Sequence, residues 1–155
     1  MIILVILVNF AKLKIRKFMM YVTKKVRFSA AHRLHNPKLS DEINREVYDK
    51  CNNFYGHGHN YILEVTVRGN PNPETGYLID LKKLKKIIYK EIVSKVDHVH
   101  LNYDVDFLDG IIPTVENLAI EFWKILKSQI NEGELFSIKL FESEDSYVEY
   151  KGEGE

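Results

Sequence analysis

The residues best suited to chemistry cluster in Cys51-Asn52-Asn53-Phe54-Tyr55-Gly56-His57-Gly58-His59-Asn60-Tyr61. The next run, Ile62-Leu63-Glu64-Val65-Thr66-Val67, alternates apolar and polar side chains and reads as a strand. Residues two apart on a strand project to the same side, so His57 and His59 would present two imidazoles together. Gly58 between them leaves the opposite face bare for close approach. A zinc ion needs at least three protein ligands. The third candidate is His32, at the end of the strand-like run Phe28-Ser29-Ala30-Ala31-His32-Arg33-Leu34. Three histidines without a fourth ligand would leave one position open to water or substrate, the arrangement of a catalytic zinc.

Other residues carry two readings each. Cys51 is the only cysteine. It could be a small buried hydrophobe, but Asn52, Asn53, Tyr55 and Gly56 are not core company. Near a cation its thiol would ionise more readily and could act as a general base. As a fourth zinc ligand it would instead close the site and make it structural. Asp97-His98 is either a helix-terminal turn or a carboxylate orienting an imidazole for proton transfer. Glu142, near the end of a half-buried strand, needs a donor partner: a salt bridge, or the N–H edge of a ring such as a pterin or guanine. His35 and His100 read as surface residues, and Glu144 and Asp145 as solvated turn carboxylates.

These residues must be positioned by ordinary elements. A chain of 155 residues is about one domain, with 45% apolar and 28% charged residues, as in soluble globular proteins. Lys+Arg and Asp+Glu are both 22, so nothing points to nucleic acid or a membrane surface. One cysteine excludes an intramolecular disulfide and suits a reducing, cytoplasmic setting. Strands are expected over Tyr21–Phe28, from the histidine pair to Val67, over Tyr77–Asp80, Phe136–Glu142 and Tyr147–Tyr150. Residues 35–50 read as a loop with a helical turn or two near Asp41–Tyr48. Leu81, Leu84, Ile88, Ile92 and Val96 repeat at helical spacing, and Thr114 stands as N-cap before Val115, Leu118, Phe122, Ile125 and Leu126. Asp97–Asn102 reads as a loop. The pattern is α+β: one sheet with two helices on one face. Residues 1–20 stand apart, with an apolar start and a basic run. The apolar stretch is far short of the roughly 18 residues of a membrane span and lacks signal-peptide flanks. An added edge strand or packing segment, or a true start at Met19 or Met20, is expected instead.

Five segments in register carry a resemblance: Phe28–Leu34; Cys51-Asn52-Asn53 running into Gly56–Tyr61; Asp97-His98 with Leu101-Asn102; Thr114–Ala119; and Phe141-Glu142-Ser143. Together they resemble the 6-pyruvoyltetrahydropterin synthase and 6-carboxytetrahydropterin synthase family, over roughly residues 21–152. The resemblance implies a single pterin synthase domain at 21–155, with the extension 1–20 outside it. It implies the tunnelling fold, a four-stranded antiparallel sheet with two helices on one face. Subunits would form barrel-like trimers that stack into a homohexamer. His32, His57 and His59 would hold Zn2+, Cys51 would be the general base, and Asp97 with His98 would relay protons. Glu142 would anchor the pterin ring, helped by Thr114. The substrate would be 7,8-dihydroneopterin triphosphate, with no cofactor besides zinc.

Two products are compatible with that family. The five residues between Cys51 and His57, with Asn52-Asn53 and Gly56, resemble the pyruvoyl-forming type of tetrahydrobiopterin biosynthesis. Pro113 before Thr114, and Val115 where a second hydroxyl is expected, resemble the carboxy-forming type of queuosine biosynthesis. A reading from another class is a non-catalytic zinc-binding interaction module, for which Cys51 would ligate the metal.

Overall fold

The computed structural model describes residues 19–152. The expectations for residues 1–18 and 153–155 lie outside the described residues. Five strands form one sheet among the described residues: β1 Met20–His32, β2 His57–Gly69, β3 Val99–His100, β4 Glu134–Phe141 and β5 Tyr147–Tyr150, in the order β3-β1-β2-β4-β5. The pairs β1–β2, β2–β4 and β4–β5 are antiparallel, whereas β3 runs parallel to β1. The expected four-stranded antiparallel sheet thus gains a short parallel edge strand. Val99–His100 reads as loop in the sequence because two residues show no alternation. They become a strand only because the preceding helix delivers them to the edge of β1.

Alternation along the two long strands sets the layers. Val26, Phe28, Ala30 and His32 of β1 are buried with Tyr61, Leu63, Val65 and Val67 of β2. The neighbouring positions Thr23, Lys25, Arg27, Gly58 and Asn60 face outward and are exposed. The buried face is covered by α2, Leu81–Ile88, and α3, Val115–Lys127; a third helix, α1, spans Asp41–Tyr48. Each helix starts on a side-chain cap. Ser40 accepts from Ile43 N, Asp80 from Lys82 N at 2.7 Å and Thr114 from Asn117 N at 3.3 Å. The cap at Asp80 also explains a correction. Tyr77–Asp80 is not a strand: the segment finds no ladder partner, and Asp80 opens α2 instead.

Beyond Ile88 the helix widens into a π-helical turn, Tyr89–Val93, and closes with one turn, Ser94–Val96. The sequence contains the reason. Leu84, Ile88, Ile92 and Val96 are all fully buried, yet they recur every four residues. At 3.6 residues per turn, three such steps drift by about 120° around the helix. A wider turn absorbs the drift and keeps all four on the sheet. The helix then ends at Asp97, and His98 adopts the left-handed region at φ 61°.

Candidate active site

The β1–β2 register places His32 opposite His57 and Ala30 opposite His59. The alternation that buries Leu63 and Val65 therefore carries His57 and His59 onto the core face, at the open end of the sheet beside His32. His32 is fully buried; His57 and His59 are half-buried. One ring nitrogen from each of the three lies within 4.8 Å of the others. His32 Nδ1 sits 2.8 Å from the Pro113 carbonyl, which can only accept, so Nδ1 carries the hydrogen and Nε2 a lone pair. His32 Nε2 and His57 Nε2 are 3.1 Å apart. Two lone pairs at that distance repel unless a proton or a cation lies between them.

The donor set fits a metal ion. Zinc–imidazole bonds of about 2.0–2.1 Å in a tetrahedron separate ligand nitrogens by roughly 3.3 Å. His57 Nδ1 and His59 Nε2 are buried without a hydrogen-bond partner, an expensive state unless something else binds there. Burial is the main cause that lowers the His32 pKa from 6.5 to about 4, and the neighbouring imidazoles act the same way against the Pro113 hydrogen bond. Burial also lowers that of His59, against the pull of Glu142. Both changes favour the neutral imidazoles that metals bind.

Glu142 follows the end of β4. Its Oε1 lies 3.6 Å from His32 Nε2 and 3.7 Å from His59 Nε2. Burial holds His32 neutral, so a charged pair with this half-buried carboxylate is open only to His59, whose pKa Glu142 raises against burial. Cys51 lies within a short 3-10 segment, Asp49–Asn52, and lines a cavity of about 730 Å³ with Asn52, Asn53, His57 and His59. Its sulfur lies outside the three-histidine cluster. Desolvation first, then the negative charges of Glu142 and Asp49, push the Cys51 thiol above its ordinary value. A cation on the histidines would act in the opposite direction.

Thr114 adjoins Pro113, and so backs the metal cluster, with its hydroxyl occupied as the cap of α3. Asp97 and His98 stand elsewhere. Asp97 Oδ1 accepts from Ser29 N at 2.8 Å and lies 2.9 Å from His98 Nδ1, while His98 N donates to Ser29 O at 2.6 Å. The Asp97 carboxyl is held below its usual range, first by that backbone hydrogen bond. The His98 side chain is 79% exposed. With Asp97 it lines a cavity of about 750 Å³ that also includes Ser29, Gly58, His59, Tyr61 and Glu142, and it does not line the Cys51 cavity. One chain therefore brings His32, His57 and His59 together, with Cys51 in a cavity on one side of the cluster and Glu142, Asp97 and His98 in a second cavity that also reaches His59.

Against this geometry the comparisons are decisive. The model of the 6-pyruvoyl tetrahydropterin synthase family matches residues 21–153. The chain belongs to that family. A 6-pyruvoyl tetrahydrobiopterin synthase from Poecilia reticulata is 45% identical over 133 residues, covering 86% of this chain and 90% of its own. The solved 6-pyruvoyl tetrahydropterin synthase of Caenorhabditis elegans superposes with a TM-score of 0.82 at 41% identity, over 86% of this chain and 96% of that one. A 6-carboxy-5,6,7,8-tetrahydropterin synthase from Rickettsia typhi is more distant: 28% identical over 84% of this chain and 99% of its own. The fold is thus the tunnelling fold of this synthase family, here with five strands among the described residues, and the family is one of enzymes.

The family's site in this chain contains residues that sequence reading did not single out. Tyr61 is fully buried, its hydroxyl 3.4 Å from His32 Nδ1 and its ring 5.6 Å from that of His59. Burial, then the charges of Glu142 and Cys51, push its phenol far up, so it stays protonated. The signal was available, since Tyr61 continues the two-residue phase of His57 and His59. The Pro113 carbonyl had none, because it meets His32 across 81 residues. His35 and His100 are half-buried rather than surface residues. His100 belongs to β3, and a Cβ at Gly56 would come within 2.8 Å of its Nε2 and 2.6 Å of the His32 carbonyl. Only glycine fits at 56, which also has φ 73°.

Proposed function

We propose that this chain is a zinc-dependent carbon–oxygen lyase that converts 7,8-dihydroneopterin triphosphate to 6-pyruvoyltetrahydropterin with loss of triphosphate. The observation that carries the reading is the cluster of three histidines, two with orphaned nitrogens, with Glu142 beside it and with His57 and His59 lining a cavity that holds an unligated thiol. His32, His57 and His59 would hold the ion, with His32 oriented through the Pro113 carbonyl. When bound, zinc supplies Lewis acidity, which lowers the pKa of a nearby hydroxyl and offsets negative charge developing on oxygen.

The rest falls to the chain's own side chains. Glu142 accepts hydrogen bonds from the N–H edge of the pterin and so orients the substrate side chain toward the histidines. Thr114 assists from the neighbouring loop. Cys51, as thiolate, takes the carbon-bound proton of the substrate side chain. Loss of that proton on one carbon and of triphosphate from the next is an elimination. Tautomerisation then moves the remaining electrons into the ring and leaves the two side-chain carbonyls. Asp97 holds the His98 imidazole, which moves a proton to or from a side-chain oxygen. Because this pair does not line the Cys51 cavity and its imidazole is largely exposed, we assign it to the site of a neighbouring subunit, in a trimer whose sheets close into a barrel and pair into a hexamer.

The carboxy-forming reaction on the same substrate is the second reading, favoured by Pro113 before Thr114 and by Val115. The five residues between Cys51 and His57, and 45% against 28% identity to the two kinds of relative, favour the pyruvoyl product. A non-catalytic zinc module is disfavoured because the Cys51 sulfur does not close the cluster. Mass spectrometry of the product from 7,8-dihydroneopterin triphosphate separates all three. A 6-pyruvoyl pterin supports the proposal; a 6-carboxy pterin, or unchanged substrate with zinc-loaded protein, overturns it.

A further inference from the structure

His32 is the last residue of β1, and β3 supports that edge only at Ala30 and Ala31. The next residue, Arg33, has no ladder partner, yet its backbone is not left loose. Asn102 Oδ1 accepts from Arg33 N at 2.8 Å, and Asn102 Nδ2 donates to Arg33 O at 2.9 Å. One side-chain amide thus makes both bonds of a missing β-bridge. One residue further, Leu34 N donates to the Cys51 carbonyl at 2.8 Å. The Arg33 side chain makes a second tie on the same side: Nε donates to Asn52 O at 3.2 Å and to Asn52 Oδ1 at 3.1 Å. Asn52 is buried, and its Oδ1 also lies 3.2 Å from His35 Nδ1.

Arg33 is covalently next to the histidine of the cluster, and Asn52 is covalently next to the thiol. Five hydrogen bonds join residues 33–34, 51–52 and 102; four of them end on Arg33 and the fifth on the Cys51 carbonyl. Asn102 and Arg33 do not line the Cys51 cavity. Arg33 lines an adjoining cavity with Arg45 and Asn52 instead, so both act on the Cys51 cavity through what they hold. The Cys51 carbonyl is tied to Leu34 and the Asn52 carbonyl to Arg33, so the backbone carrying the thiol is fixed on both sides to the extension of β1.

We propose that Arg33 and Asn102 are positioning residues: together with Asn52 they form a clamp that sets the separation between the three-histidine cluster and the Cys51 thiol. The clamp rests on the function proposed above, in which the thiol removes a proton from substrate held at the cluster. Such a transfer tolerates little error, since a displacement of about 1 Å costs roughly a hundredfold in rate.

The test uses the full-length, metal-loaded protein and two variants. Asn102→Ala frees the Arg33 backbone; Arg33→Ala keeps the backbone bonds and removes only the side-chain tie. Metal content, kcat and KM on 7,8-dihydroneopterin triphosphate, and the rate of Cys51 alkylation by iodoacetamide at fixed pH are measured for each. In both, kcat is expected to fall about tenfold to a hundredfold, while KM stays within about threefold and metal content is unchanged. The alkylation rate is expected to change by at least about threefold, because the thiol's surroundings are no longer fixed. Wild-type kcat and alkylation rate in both variants overturn the clamp. So does parallel loss of metal, KM and kcat with falling melting temperature, which marks a general support of the fold. If the wild-type protein holds metal but leaves the substrate unchanged, the proposed function falls, and the alkylation rates alone decide the clamp.

Discussion

At the scale of single residues, the site works by setting protonation states against one another. His32 must be neutral to bind a cation, and burial does this without help from the metal. The same burial has a stability consequence. The unfolded chain takes a proton on His32 below its ordinary 6.5, whereas the folded chain refuses it until about 4. The metal-free protein should therefore be indifferent to this group above pH 6.5 and lose stability as pH falls from there to 4, by up to about 1.4 kcal/mol per pH unit. Denaturant titrations of metal-free wild type and His32→Gln over that window should show the shallower slope in the variant; equal slopes would mean that His32 titrates freely in the fold. Cys51 presents the converse case. The protein alone pushes the thiol up, so its use as a base depends on the neighbouring cation. Cys51→Ala should keep the fold and the metal but lose about two to four decades in kcat, the usual worth of a general base. Loss of metal in that variant, measured by elemental analysis, would make the thiol a ligand instead.

At the scale of elements, what the sequence showed well was whatever repeats. The alternation through Val67 and the phase of His57 and His59 located β2 and one face of the site. The caps at Asp80 and Thr114 and the spacing of Leu84, Ile88, Ile92 and Val96 located the long helices. What it hid depends on partners far along the chain. The edge strand Val99–His100 exists because Ser29 N and O are tied to Asp97 and His98. The apparent strand Tyr77–Asp80 fails because nothing pairs with it. Asn44 shows the same limit within α1. It is fully buried, and nothing around it in sequence says so. Its Nδ2 donates to the carbonyls of Asn36, Leu39 and Ser40, and its Oδ1 accepts from Asn36 N at 2.7 Å. That amide folds residues 36–40 against α1, just outside the Cys51 segment. Asn44→Ala strands several polar backbone groups and should cost about 2–3 kcal/mol of stability, read from denaturant midpoints. A loss under about 0.5 kcal/mol, the size of an ordinary surface change, would show that water replaces the amide.

At the scale of the molecule, the helices among the described residues that pack on the sheet cover its core face. The other face, with Thr23, Lys25, Arg27, Gly58 and Asn60, is exposed, and Asp97–His98 opens onto it. The groups proposed to act in one reaction are thus divided between two cavities that meet at His59: Cys51 lines one, and Glu142 with the Asp97–His98 pair lines the other. An acid–base pair that is 79% exposed on its imidazole has little to protonate unless another surface comes to it. The edges point the same way. β3 has two residues and β5 four, short flanks that suit seams between copies. If the site forms at such a seam, Cys51→Ala and His98→Ala should each be nearly inactive alone. Unfolded together and refolded in equal amounts, they should recover activity, because about a quarter of the seams in a closed ring pair an intact Cys51 with an intact His98 from the adjacent chain. No recovery in mixed oligomers, verified by native mass spectrometry, would place both residues in the site of one chain.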